Sequence, residues 1–263
     1  MRVPVLVLHA PGTNRDREAA LAVEAAGGSA TIRTLTDLSA APGTLLDHRM
    51  IVVPGGFSFG DDLGAGQVFA LELERRFGDA IRTFLAHGRP VLGICNGFQA
   101  LVKAGFLPGE APGVARRTTL TRNARAQFEC RWVRLLPNPQ SPCVFTRDLT
   151  EPLACVVAHG EGRVLFSDEA ARDEVATHQL AALRYEPTPD TDDGYPGNPN
   201  GSTDHIAGLT NAAGTVLGLM PHPEDHIFAH QHPLFHRGGP GGKPGSETGL
   251  ALFRGGVRYA GAL

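Results

Sequence analysis

The sequence predicts an α/β fold: a mainly parallel, doubly wound sheet with added antiparallel strands at one edge. Three observations predict it. In the first hundred residues, short apolar runs alternate with longer helical segments, the pattern of strands covered on both faces. After Pro108 the chain changes to short extended segments with sparse helix. Finally, 33 glycines and 20 prolines among 263 residues call for many tight turns, on which functional groups can sit.

The elements follow in order. Residues 3–8 (VPVLVL) are an apolar strand, and residues 10–14 turn into an Ala/Glu-rich helix over 15–26, with Thr13 or Asn14 as its N-cap and Gly27-Gly28 as its stop. Residues 30–35 alternate as a second strand. Met50-Ile51-Val52-Val53 is uninterrupted apolar sequence ending at Pro54-Gly55-Gly56, which marks a buried strand. A helix over 70–86 leads to a strand at 90–94. Six extended segments follow, at 128–136, 153–158, 163–166, 181–185, 206–209 and 216–220, and are assigned to the antiparallel edge of the same sheet. A helix over 249–259 closes the fold. The loop at 186–203 is rich in Pro, Asp, Gly and Asn, whereas 238–245 is nearly all Gly and Pro and reads as a surface connection. No internal repeat or linker divides the chain, so residues 1–263 are expected to form one domain.

Composition excludes several classes. With 42% hydrophobic and 19% charged residues the chain is neither disordered nor a coiled coil. A net charge of −3 offers nothing to draw it to nucleic acid or to an anionic membrane. No run approaches a membrane span, and the N-terminus lacks the order of a signal peptide, so a cytoplasmic protein is expected. The four cysteines, Cys95, Cys130, Cys143 and Cys155, form no Cys-x-x-Cys pair and are read as free thiols, three of them inert.

The chemistry concentrates at Gly93-Ile94-Cys95-Asn96-Gly97, between an apolar strand and the amphipathic run Phe98-Gln99-Ala100-Leu101-Val102-Lys103. This is the Gly-x-nucleophile-x-Gly elbow with cysteine at its centre: a sharp strand-to-helix turn where the flanking glycines avoid the neighbouring backbone. The helix start aims free N–H groups at the sulfur and stabilises negative charge there. A buried structural cysteine is the plainer reading, but it leaves the paired glycines unexplained. A cysteine nucleophile needs a base, and the base an orienting carboxylate. His222, in Met220-Pro221-His222-Pro223-Glu224, directly follows an apolar strand. Pro223 biases it to extended backbone, on which Glu224, two along, points to the same side. The oxyanion formed on carbonyl attack needs fixed N–H donors. Asn96 is expected to supply one, and the Pro54-Gly55-Gly56-Phe57 turn, through Gly56 and Phe57, fits the other, although on these residues alone it reads equally well as an ordinary strand-ending turn.

Five segments carry a resemblance: Pro54-Gly55-Gly56-Phe57-Ser58-Phe59-Gly60-Asp61, Gly93-Ile94-Cys95-Asn96-Gly97-Phe98-Gln99, Ala158-His159-Gly160-Glu161-Gly162, Pro199-Asn200-Gly201-Ser202 and Met220-Pro221-His222-Pro223-Glu224. In this order they resemble the glutaminase subunits of phosphoribosylformylglycinamidine synthase, class I glutamine amidotransferases of purine biosynthesis with a flavodoxin-like fold. The likeness runs from the first strand to about His226. It implies that Cys95 attacks the glutamine side-chain amide to give a γ-glutamyl thioester and ammonia, with His222 as acid and base and Glu224 orienting it. It implies glutamine contacts from Gly55, Gln99, His159 and Gly160. It further implies a separate ATP-dependent synthetase subunit, carrying ATP and Mg2+, that converts formylglycinamide ribonucleotide to the amidine, with a third small subunit bridging the two. The absence of a Gly-x-x-x-x-Gly-Lys-Ser/Thr loop agrees with ATP being handled elsewhere.

Two features depart from the family. Asp62 and Gly64 stand where an aromatic and then a basic residue are usual. The tail carries His226, His230, His232 and His236, which with His222 place five histidines within fifteen residues. Histidines four apart on a helix can share a metal, the basis of a rival reading as a metal-dependent hydrolase. Pro221, Pro223 and Pro233 argue against one regular helix, and no metal is expected. A non-catalytic docking module is the other rival, although all three catalytic positions are filled.

Overall fold

The computed structural model describes residues 2–109, 116–237 and 247–263. The first strand, β1 (Val3–His9), pairs in parallel with β2 (Gly28–Thr34) on one side and β3 (Met50–Val53) on the other. β4 (Val91–Ile94) adds next to β3, and β11 (Val216–Leu219) next to β4, both in parallel. Every residue of β3, β4 and β11 is buried, as expected for strands with a layer on each face.

Beyond β11 the sheet turns antiparallel through β10 (Ile206–Thr210), β9 (Ala181–Tyr185), β6 (Glu129–Pro137) and β7 (Leu153–His159), giving the nine-strand order β2-β1-β3-β4-β11-β10-β9-β6-β7. The antiparallel extension is as predicted, with two corrections. Residues 216–220, assigned to the antiparallel edge, instead include a parallel strand in the middle of the sheet. The continuously apolar Val216-Leu217-Gly218-Leu219 is buried on both faces, which only an interior position satisfies. Residues 163–166 fall in β8 (Glu161–Phe166), which leaves the large sheet and pairs with β5 (Thr118–Arg122) as a separate two-stranded ribbon.

Helices α1 (Asp16–Ala25) and α6 (Leu250–Ala262) pack against each other, and α6 also meets β1 and β3. The long α3 (Gln67–Ala86) packs on α4 (Asn96–Lys103), which lies against β4 and β11. On α3 the stripe Phe69, Leu73, Phe77, Ile81 and Phe84 is buried at helical spacing. The expected N-cap of α1 is not used: Thr13 Oγ1 instead accepts from the Ala10 N–H at 3.1 Å, and the Asn14 N–H donates to Gly55 O at 3.3 Å. The turn is bound to the β3 loop, leaving Arg15 at the helix start without a side-chain cap.

Two short helices went unread, α2 (Leu35–Ala40) and α5 (Glu169–Thr177). Both carry N-cap signals. Asp168 accepts from the Ala171 N–H at 2.8 Å, and Thr34 with Asp37 forms a capping box. Each buries only two side chains in its helical span, too narrow a stripe to stand out as periodicity. Loop 238–245 lies outside the described residues. Among those described, no helix is long and apolar enough to cross a membrane.

Candidate active site

β3, β4 and β11 are neighbours, and their carboxyl ends carry, in turn, Gly55 and Gly56, Cys95, and His222. Parallel strands of one sheet deliver their loops to the same edge, so positions far apart in sequence meet there. Cys95 sits at φ 49° and ψ −106°, a conformation L-residues avoid and one that costs about 1–3 kcal/mol. A side chain at either neighbouring glycine would be crowded, at Gly97 by backbone and at Gly93 by a movable side chain. A Cβ on Gly97 would stand 1.9 Å from Val53 O, and one on Gly93 would stand 2.5 Å from Leu101 Cδ1. The Cys95 N–H donates to Leu219 O at 2.8 Å, tying the elbow to β11.

The His222 N–H donates to Val156 O at 2.8 Å, fixing the ring's strand end against β7. Its Nδ1 donates to Glu224 Oε1 at 2.7 Å, and both side chains are buried. The ring lies beside Cys95, near enough to feel its charge, and the Cys95 thiol is 3.9 Å from Ala158 O. A Cβ on Gly55 would be 2.8 Å from His222 Cε1 and 3.4 Å from Cys95 Cβ, so only glycine leaves this space open. The structure thus brings Cys95, His222 and Glu224 together. The expected route was different in detail: Pro223–Asp225 is a single 3-10 turn, so Glu224 reaches the ring around a turn rather than by strand alternation. Burial alone would push the imidazole down, but the Glu224 carboxylate, then the charge of Cys95, hold it well above the ordinary histidine value.

The expected oxyanion donors divide. The Phe57 N–H is bonded to Gly12 O at 3.0 Å and is not available, a correction caused by the Thr13–Gly56 bridge that zips the two loops together. Among the described residues, no backbone carbonyl accepts from the N–H of Gly56 or of Asn96, the first residue of α4. Gly56 itself has φ 150°, with Gly12 O 2.6 Å from where a Cβ would be.

A cleft of about 150 Å³ opens beside Cys95, lined among others by Gly56, Gln99, His159 and Gly160. That is below the ~300–1,000 Å³ typical of drug-sized ligands, so the cleft suits a small one. Gln99 is buried with both ends engaged: its Nε2 donates to Glu161 O at 2.7 Å and its Oε1 accepts from Asn96 Nδ2 at 3.1 Å. Of the expected glutamine contacts, Gln99, His159 and Gly160 line the cleft, Gln99 with both ends of its amide already bonded, while Gly55 makes room for His222.

Several polar side chains went unassigned. Asn96 accepts from the Ser58 N–H at 3.1 Å and donates to Asp61 Oδ1 at 3.0 Å, joining the elbow to the loop after β3. Asp61 and Glu161 both line the cleft. Burial raises the Asp61 carboxyl above its usual range, and burial lowers the Lys103 ammonium that both carboxylates attract. Lys103 Nζ donates to Ala65 O at 2.6 Å and lies 3.7 Å from where a Gly64 Cβ would be, so a cation from α4 stands beside the position that lacks one. Asn200 is wholly buried and donates to Gly162 O at 2.9 Å and to Tyr185 Oη at 3.3 Å. Asp61, Glu161 and Asn200 lay within the family-like segments; Asn123, which holds His159, carried no motif.

The histidine tail does not form one helix. It is divided among short 3-10 turns at Pro223–Asp225, Ala229–Gln231 and Phe235–Arg237. His226 and His232 pack edge-on against Trp132 at 5.1 and 4.6 Å, and His230 stacks on Phe228. Burial lowers both His226 and His232 below the usual histidine value. His222, Glu224 and Asp225 place possible ligand atoms within 4.8 Å of one another, but the first two already bond each other. All four cysteines are free, Cys130 alone being exposed.

Residues 2–260 match the model of the CobB/CobQ-like glutamine amidotransferase domain. The chain belongs to this glutamine amidotransferase family. Within it, the chain is 42% identical to phosphoribosylformylglycinamidine synthase subunit PurQ of Treponema denticola, over 98% of this chain and 99% of that one. It is 40% identical to the protein of the same name from Dehalococcoides mccartyi, over 98% of each. The structure of PurLQS from Thermotoga maritima contains a chain 30% identical to this one, with a TM-score of 0.72 and coverage of 98% of this chain and 99% of that one.

Proposed function

We propose that this amidotransferase is the glutaminase subunit of a phosphoribosylformylglycinamidine synthase. Cys95 forms the γ-glutamyl thioester, and ammonia passes to an ATP-dependent synthetase subunit that makes the amidine in purine biosynthesis. The observation that carries the chemistry is a cysteine held at positive φ above the sheet, beside an imidazole that is itself bonded to a buried carboxylate. The near full-length likeness to PurQ proteins carries the pathway.

Each residue has a part. His222 takes the thiol proton as Sγ attacks the amide carbon. The N–H groups of Asn96 and Gly56 receive the oxyanion. His222 then returns its proton to the departing nitrogen as the C–N bond breaks, and in the second half-reaction it activates the water that releases glutamate. Glu224 orients the ring and offsets its positive charge. Asp61 and Glu161 supply negative charge in the cleft for the substrate α-ammonium. The synthetase subunit is the partner, with a small bridging subunit joining the two.

The test is covalent labelling with an electrophilic glutamine analogue, read by peptide mapping. One label on Cys95 is expected, and Cys95→Ala should end glutamine-dependent synthesis in the assembled complex while sparing ammonia-dependent synthesis. Label on exposed Cys130, or glutamine turnover by the variant, overturns the assignment.

A further inference from the structure

Asp225 directly follows the orienting carboxylate Glu224. On a continuous strand it would point away from both His222 and Glu224. The turn changes that. Pro223–Asp225 is 3-10 helix, in which residues three apart eclipse, so Asp225 stands over His222, and its N–H donates to His222 O at 3.3 Å. A ring nitrogen of His222 and one carboxylate oxygen each from Glu224 and Asp225 all lie within 4.8 Å of one another. The base therefore has two acids beside it, and only one of them bonds the ring.

Carboxylates this close repel each other unless cations face them. Glu224 receives the ring proton on Oε1, while its buried Oε2 accepts from no described residue. Asp225 has its own cation. Arg15, at the start of α1, places Nη1 3.7 Å from Asp225 Oδ1 and 3.4 Å from Glu18 Oε1, and α1 packs against the turn. The remaining titratable groups facing the cluster are Cys95 from the elbow and Cys155 and His159 from β7. Burial and then the Glu224 charge raise the Asp225 carboxyl above its usual range, whereas His222 and Arg15 draw it down. Such interactions are mutual, so an ionised Asp225 favours a charged His222 in return.

We propose that Asp225, tethered by Arg15, is a second carboxylate for the catalytic base, a positioning residue that acts through His222 by stabilising its imidazolium form. This rests on the amidotransferase reading for the step that needs that form. When Sγ attacks the amide carbon, the thiol proton passes to His222 and waits there. It then moves to the departing nitrogen as the C–N bond breaks. Asp225 exchanges no proton. Its charge keeps the ring loaded up to a higher pH, so neutralising it makes the ring lose its proton earlier as pH rises.

The experiment titrates the His222 ring without substrate, in nitrogen-15 spectra of histidine-labelled protein, the signal being assigned by its loss in His222→Gln. In Asp225→Asn, which keeps the size and removes the charge, the midpoint should fall by about 0.5–1 pH unit, a loss of about three- to tenfold in proton affinity. Asp225→Glu should restore most of it. Arg15→Gln removes the opposing cation and should move the midpoint up. A purely structural Asp225 leaves the midpoint in place, so an unchanged or raised value in Asp225→Asn overturns the proposal. Should that variant fail to fold, Arg15→Gln decides: a rise supports the proposal, and an unchanged or lowered midpoint overturns it. In the assembled complex the alkaline limb of glutamine-dependent kcat should follow the midpoint, and a limb that stays while the midpoint falls overturns the role in the reaction. If the midpoints shift as stated but wild type forms no thioester from glutamine, the amidotransferase reading has failed while the charge coupling stands.

Discussion

Gly97→Ala tests the elbow most directly. The added methyl carbon would lie 1.9 Å from Val53 O, 2.6 Å from Val53 C and 3.1 Å from Pro54 O, where ordinary contact begins at 3.4 Å. Something must move by about 1.5 Å, the difference between contact and overlap. β3 is held between β1 and β4, and α4 is buried through most of its length, so neither gives readily. Overpacking of this kind costs ~1–3 kcal/mol, and the size of the overlap places it at the upper end. For a chain of 263 residues that lowers the melting temperature by about 5 °C. Cys95 and the Asn96 N–H move with the first turn of α4, and a displacement of about 1 Å costs on the order of 100-fold in rate. Gly43→Ala is the control, since nothing lies within 4 Å of a Cβ there. Calorimetry and the rate of labelling by a glutamine-analogue electrophile read the two effects. If Gly97→Ala melts and labels like Gly43→Ala, steric necessity is not why glycine stands at the elbow.

Three further outcomes are expected. Removing the base should cost more than removing its orienting group, so acylation in single turnover should fall further for His222→Ala than for Glu224→Gln, by about 10–100-fold; the reverse ranking would reassign the roles. His159 has a folded-state value of about 3 against 6.5 unfolded, so the unfolded chain binds a proton that the folded one refuses. Its stabilising effect is present above pH 6.5 and is lost as pH falls towards 3, by up to ~1.4 kcal/mol per pH unit. Urea midpoints between pH 7 and 5 should therefore fall more steeply in wild type than in His159→Asn, and equal slopes would contradict a buried neutral ring. Asn96→Ala removes the hydrogen bonds that its side chain makes with the Ser58 N–H, Asp61 Oδ1 and Gln99 Oε1 and should destabilise the chain by about 1–3 kcal/mol and slow labelling; a denaturation curve matching wild type would show that this network holds nothing.

What could be read in advance had a local cause. The apolar runs of β1, β3 and β4 declare buried strands, and α3 shows its buried stripe at helical spacing. The glycines at 93 and 97 mark a crowded turn before any neighbour is known. His222 and Glu224 are two apart, close enough for their pairing to be inferred from the backbone between them, although the turn that joins them was not.

The sequence by itself therefore determined the fold class, the elbow and the candidate triad, because strand periodicity, turn sterics and short-range pairing act within a few residues. Only the tertiary structure decided that β11 lies parallel to β4, which places His222 beside Cys95 across more than a hundred positions. It also decided that the Phe57 N–H is taken by Gly12, that Asn123 holds His159, and that the tail histidines rest on aromatic rings. These depend on which distant groups the closed sheet brings within about 3 Å, where hydrogen bonds form, and local propensity carries no information about that distance.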